Sequence, residues 1–94
     1  MGTKKRPVPA RLPEKLLKIR RLLDLTQEQL AEKVSHLPSA PQPGHISRFE
    51  QGLREPNLIY LLEISRLSGA SLESLLDDEQ EIDLSGKGRD RKAK

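Results

Sequence analysis

Ninety-four residues with no cysteine describe one small domain, held together without disulfides or thiolate-bound metal. No apolar run approaches the ~18 residues of a membrane span, and the first residues lack a signal peptide's apolar core, so a soluble cytoplasmic protein with no membrane partner is expected. The net charge of +3 is unevenly placed: residues 1–23 set Lys4, Lys5, Arg6, Arg11, Lys15, Lys18, Arg20 and Arg21 against Glu14 alone, while 77–83 hold five acids and no base. A basic end suits a polyanionic partner, although each charged end read alone is equally a solubilising tail.

Residues 1–12 read as a flexible basic arm, 13–77 as the folded unit and 78–94 as a polar, disordered tail. Pro13 suits the first position of a helix, where its missing N–H costs nothing. Leu12, Leu16, Ile19 and Leu23 then form an apolar stripe that Leu17 and Leu22 widen, which predicts a helix over about 13–23. Thr26 and Gln29 have the spacing of a capping box, flanked by Leu25 and Leu30 as a hydrophobic staple. The second helix runs through Leu30, Ala31 and Val34 and must stop near Leu37, because residues 35–45 contain three prolines and a glycine.

Pro43 suits the first turn of a third helix over about 43–51, with Gln42 near its cap, Ser39 as a competing start and Gly52 closing it. Asn57 caps a fourth helix whose apolar face is Leu58, Leu61, Leu62, Ile64 and Leu67, with Gly69 closing it. Ser71 caps a last short helix over 72–76. No strand-period alternation and no internal repeat appears, so the domain is expected to be all-α.

The third helix carries two different faces. Ile46 and Phe49 sit one turn apart and face a core, while Gly44, Arg48 and Gln51 point the other way, flanked by His45 and Ser47. Small and hydrogen-bonding side chains on a helix fixed by its other side suit the reading of base edges in a DNA groove. An ordinary amphipathic surface helix shows the same pattern. Catalysis is not indicated. His36 and His45 lie in or beside the proline-rich loop without acids at metal-ligand spacing, and no phosphate-binding glycine loop or activated nucleophile is present, so neither cofactor nor metal is expected.

Taken in order, Ile19-Arg20-Arg21, Leu25-Thr26-Gln27-Glu28-Gln29-Leu30-Ala31, Ile46-Ser47-Arg48-Phe49-Glu50-Gln51-Gly52, Arg54-Glu55-Pro56, Leu61-Leu62-Glu63-Ile64 and Gly69-Ala70-Ser71-Leu72 resemble the xenobiotic-response-element (XRE; lambda repressor and Cro-like) family. The likeness spans about residues 15–77. It implies a compact five-helix helix-turn-helix domain, and this sequence departs from it by about five extra residues between Val34 and Ile46. The departure is expected to make an elongated turn between the second and third helices, with the helices keeping their packing.

The resemblance implies a sequence-specific regulator of transcription, of repressor type, that binds double-stranded DNA with the third helix in the major groove. Gln42, Gly44, His45, Ser47 and Arg48 become the candidates for base readout. A guanidinium such as Arg48 can bond two guanine acceptors; the alternative is a phosphate contact or a surface ion pair with Glu55 or Glu63. Gln27, Arg54, Lys4, Lys5 and Arg6 are the candidates for phosphate or minor-groove contacts. Arg20 and Glu50 are implied as a structural ion pair holding the first helix to the third. His36 shows no partner and reads as an exposed loop residue. A homodimer, at least on DNA, is expected from the spacing of DNA half-sites. The rival reading is a protein-binding module, such as an antitoxin or an accessory regulatory subunit with secondary DNA binding, whose charged C-terminal segment folds on a protein partner.

Overall fold

The computed structural model describes residues 9–82. Five helices form in this span: α1 Leu12–Leu22, α2 Gln27–Lys33, α3 Pro43–Gln51, α4 Leu58–Ser68 and α5 Leu72–Leu76. Among the described residues there is no strand. The architecture is the all-α, five-helix one that the apolar spacing predicts.

The helix ends follow local chemistry. Pro13 lies in the first turn of α1, where a missing N–H breaks no bond. At Thr26 the capping box is complete: the hydroxyl accepts from the Gln29 N–H at 3.0 Å, and the Gln29 side-chain oxygen accepts from the Thr26 N–H at 2.9 Å. Asn57 and Ser71 cap α4 and α5 by accepting from Tyr60 and Ser74 N–H groups. Gly52 and Gly69 close α3 and α4 at φ +76° and +80°, in the left-handed region that glycine enters without a Cβ clash. Between α1 and α2 the same role falls to Asp24, at φ +60°.

The second helix is shorter than expected. It ends at Lys33 rather than near Leu37, because the Ser35 hydroxyl donates back to the Glu32 carbonyl at 2.8 Å and Pro38 disfavours helical geometry at Leu37. The long connection to α3 is pinned rather than splayed. Val34 is fully buried at its start, Leu37 packs against the core, and His36 Nε2 lies 3.6 Å from Glu63 Oε2 on α4. His36 therefore has a partner that the sequence did not reveal. Ser39 does not start α3; it turns the loop at φ +54°.

One core joins all five helices: Leu12, Leu16 and Ile19, then Leu30 and Val34, Ile46 and Phe49, Tyr60, Leu61 and Ile64, and finally Ala70 and Leu75. Phe49 and Tyr60 pack with ring centroids 5.0 Å apart and planes tilted by 52°. α3 packs against both α1 and α2. Three leucines expected to widen the buried faces, Leu22, Leu58 and Leu62, are exposed instead. On the helical wheel Leu58 and Leu62 lie roughly opposite Tyr60 and Ile64, with Leu61 between the two sides, so α4 carries apolar residues beyond the face it buries.

The packed domain also runs beyond α5. Residues 78–82, expected to begin the disordered tail, lie against the start of α1, and Ile82 is partly buried on the core. Backbone N–H groups at a helix start lack intrahelical partners, and an acidic side chain satisfies them. Here Asp78 accepts from the Ala10 and Arg11 N–H groups. These bonds, the Arg11 one foremost, hold the Asp78 carboxyl below its ordinary value; the Arg11 guanidinium does the same to Glu81.

Candidate nucleic-acid interface

The inner face of α3 is fixed by two apolar residues and one carboxylate. Ile46 has no exposed surface and Phe49 is 6% exposed. Glu50 receives the Arg20 guanidinium in a fork, Nε to Oε2 at 2.7 Å and Nη2 to Oε1 at 3.0 Å, while Arg20 Nη1 donates to the Leu25 carbonyl. The Gln27 side-chain amide also donates to Glu50 Oε1, at 3.0 Å. A single α3 carboxylate thus ties α3 to α1 through Arg20 and to α2 through Gln27. The Glu50 side chain is only 6% exposed, so its charge is neutralised inside the domain. Burial raises the neighbouring Tyr60 phenol above its ordinary value and keeps it neutral.

The outer face is differently furnished. Gln42, Gly44, Arg48 and Gln51 are exposed, and His45 and Ser47 are half-buried. A Cβ placed on Gly44 would meet nothing within 4 Å, so the first turn of α3 is open to a close approach by another molecule. Arg48 forms no ion pair among the described residues; Glu63, one partner considered for it, stands 3.6 Å from both Arg66 and His36. The Gln51 amide donates to Ser47 Oγ at 2.7 Å, which leaves the Ser47 hydroxyl hydrogen free to donate outward. His45 turns out to cap its own helix. Its Nδ1 accepts from the Gln42 N–H at 3.1 Å, which places the ring proton on Nε2 and makes that nitrogen a donor.

The structure places Gly44, His45, Ser47 and Arg48 on α3 with Gln42 at its N-cap, and exposed Arg54 in the turn that follows. Gln27 sits beside them but gives one amide hydrogen to Glu50, so it serves the frame as well as keeping a second hydrogen for an outside acceptor. Lys4, Lys5 and Arg6 lie outside the described residues.

Part of the basic end is not available to a partner. Arg11 is engaged with Asp78, Glu14 and Glu81, Lys15 is 2% exposed and donates to the Ser74 and Asp77 carbonyls at 2.7 and 2.8 Å, and Arg20 is held by Glu50. Of the α1 cations, Lys18 and Arg21 remain exposed. Gln51 belongs to the outer face although it was not among the candidates for base readout. Its spacing of three from Arg48 and four from Ser47 was the available signal.

The fold is that of a lambda-repressor-like helix-turn-helix domain. It is similar to the P22 c2 repressor protein solved in complex with synthetic operator 9T in the presence of Tl+, with a TM-score of 0.60 and 25% sequence identity over 78% of this chain and 98% of that one. No protein-family model and no curated protein matches the sequence.

Proposed function

We propose that the protein is a sequence-specific, double-stranded-DNA-binding regulator of transcription, of the XRE type, that lays α3 in the major groove. The observation that carries this reading is the division of α3: its inner face is locked through Glu50 to α1 and α2, and its outer face gathers uncommitted donors around an open glycine. The similarity to a repressor solved with operator DNA supports it.

In this reading Arg48 supplies the main base contact, two donors matching the O6 and N7 acceptors of guanine. His45 Nε2–H, the Ser47 hydroxyl and the Gln42 and Gln51 amides contribute single bonds to neighbouring base edges or phosphates. Gly44 lets the backbone come close to the groove wall. Arg54, and the second amide hydrogen of Gln27, meet phosphates and set the register of the helix on the duplex. Lys4, Lys5 and Arg6 add sequence-independent affinity.

A homodimer on DNA completes the reading. Two recognition helices must reach half-sites about one helical turn, ~34 Å, apart. Leu58, Ile59 and Leu62 form an exposed apolar face on α4, adjacent to the turn that carries Arg54, and a second copy can cover it. The same face would serve a heterologous protein partner in the accessory-subunit reading, where DNA contacts are secondary.

Selection of bound duplexes from a random pool tests the proposal and separates the two readings. Enrichment of a palindrome with half-sites about ten base pairs apart is expected. A pool that emerges without any enriched sequence contradicts it and favours the protein-binding module.

A further inference from the structure

The elongated turn does more than connect α2 to α3. Residues 39–41 form one wall of a cleft of about 350 Å³, whose other walls are α3, the turn after it and the start of α4. That volume lies in the ~300–1,000 Å³ range of small-molecule sites. The cleft stands where this sequence departs from the XRE pattern.

Part of its wall is aromatic, the tilted Phe49–Tyr60 ring pair. Tyr60 is 3% exposed, yet its hydroxyl makes no hydrogen bond to any described residue. A buried hydroxyl without a partner is costly and rare. The nearby Glu50 and Arg20 do not serve it, being bonded to each other, to Gln27 and to the Leu25 carbonyl. Burial keeps the phenol protonated, so it has a hydrogen to donate.

Other uncommitted donors line the same cleft. The Asn57 side-chain oxygen accepts from the Tyr60 N–H, which leaves its amide hydrogens unused. His45 presents Nε2–H because Nδ1 caps α3. Arg54 and Glu55 are both exposed, and their opposite charges offset each other. What remains is a surplus of donors beside two aromatic rings. Such a site suits a flat apolar body that carries acceptors, and a carboxylate offers two oxygens with about four lone-pair sites.

We propose that this cleft binds a small aromatic carboxylate and that its occupancy releases the protein from DNA. The ring packs on Phe49 and Tyr60, and the carboxylate accepts from the Tyr60 hydroxyl and from His45 and Asn57. The regulatory half rests on the DNA-binding reading above, in which His45 and Arg54 donate to the duplex. A ligand that takes the His45 donor and sets a negative charge beside Arg54 competes with base edge and phosphate. Such coupling is reciprocal: the duplex weakens the ligand by the same factor.

1-Naphthoate is the probe. It is titrated into the DNA-free full chain while backbone amide resonances are followed by NMR, and into the complex with the selected duplex while release is followed by fluorescence anisotropy. A dissociation constant of about 1 mM or tighter is expected, with shifts centred on Ser39, His45, Asn57 and Tyr60. 1-Naphthylmethanol keeps the rings without the charge and should bind at least about tenfold more weakly. Tyr60→Phe keeps the ring pair and removes the hydroxyl. It should bind naphthoate about tenfold more weakly, with duplex affinity in the absence of naphthoate and thermal unfolding by circular dichroism both as in wild type. Saturating naphthoate should weaken the wild-type complex about tenfold.

Shifts centred elsewhere, no saturation by about 10 mM, equal binding of naphthylmethanol, or equal binding by Tyr60→Phe each overturn the site. Naphthoate bound in the cleft with duplex affinity unchanged overturns the regulatory half. Failure of the DNA-binding reading is distinct: wild type without naphthoate would then show no preference for the selected duplex over a scrambled one, while the DNA-free titration still reports on the cleft.

Discussion

The two faces of α3 solve opposite problems with similar chemistry. Both carry polar groups, yet Glu50 on the inner side has its two oxygens filled by Arg20 and Gln27, while Arg48 on the outer side forms no ion pair with the described residues. A buried carboxylate left without partners would be costly, so the inner face is satisfied within the domain. An exposed guanidinium pays no such penalty in water and remains free for an outside acceptor. The difference separates residues that set the tilt of the helix from residues that it presents.

Substitutions on the two faces should therefore separate stability from binding. Ile46→Ala removes a side chain with no exposed surface from α3, the helix that packs on both α1 and α2, and a loss of about 2–5 kcal/mol in chemical denaturation is expected. A loss below about 1 kcal/mol would place Ile46 outside the core that positions α3. Arg20→Ala leaves Glu50 buried with only the Gln27 amide, and should cost about 3 kcal/mol by the same measurement. If Arg20→Ala is neutral, the fork is ornamental and the tilt of α3 is set by apolar packing alone. At the outer face, Gly44→Ala meets open space and should change stability by no more than about 1 kcal/mol, in the stabilising direction, because alanine is the better helix former. The same change should weaken DNA binding by obstructing close approach of the backbone. Unaltered affinity would show that the first turn of α3 stands away from the groove.

Much of this fold is legible in the sequence because its signals are local. Thr26 with Gln29, Asn57, Ser71, Gly52 and Gly69 each act within four residues, and each ends or begins a helix where the pattern places it. The readings that fail depend on contacts distant in sequence. Lys15 looks like one more cation of a basic end, and only the packing of α5 on α1 reveals that it caps the Ser74 and Asp77 carbonyls, about sixty residues away. Asp78 and Glu81 look like the start of a tail until Arg11 is placed beside them. His36 finds Glu63 only because the elongated turn folds back over α4. Apolar periodicity also misleads on α4, where leucines recur on two sides and the sequence alone does not say which side the core takes.

The candidate interface divides along the same line. The outer-face set follows from a wheel drawn on Gln42 to Gln51, and the Arg20–Glu50 pair was implied by the family resemblance. Two details escape both routes. Gln27 is drawn to Glu50, and His45 uses Nδ1 to cap its own helix and so presents a donor. Each depends on how the side chain is placed after the backbone has folded.

Whether the outer face of α3 reads base edges is decided by Arg48→Ala. Its affinity for the selected duplex and for a scrambled duplex is measured beside its unfolding curve. A stability within about 0.5 kcal/mol of wild type is expected, since Arg48 is exposed, with a loss of about 1–3 kcal/mol in binding confined to the selected duplex. Equal binding of the selected duplex by variant and wild type, with the fold intact, would contradict it.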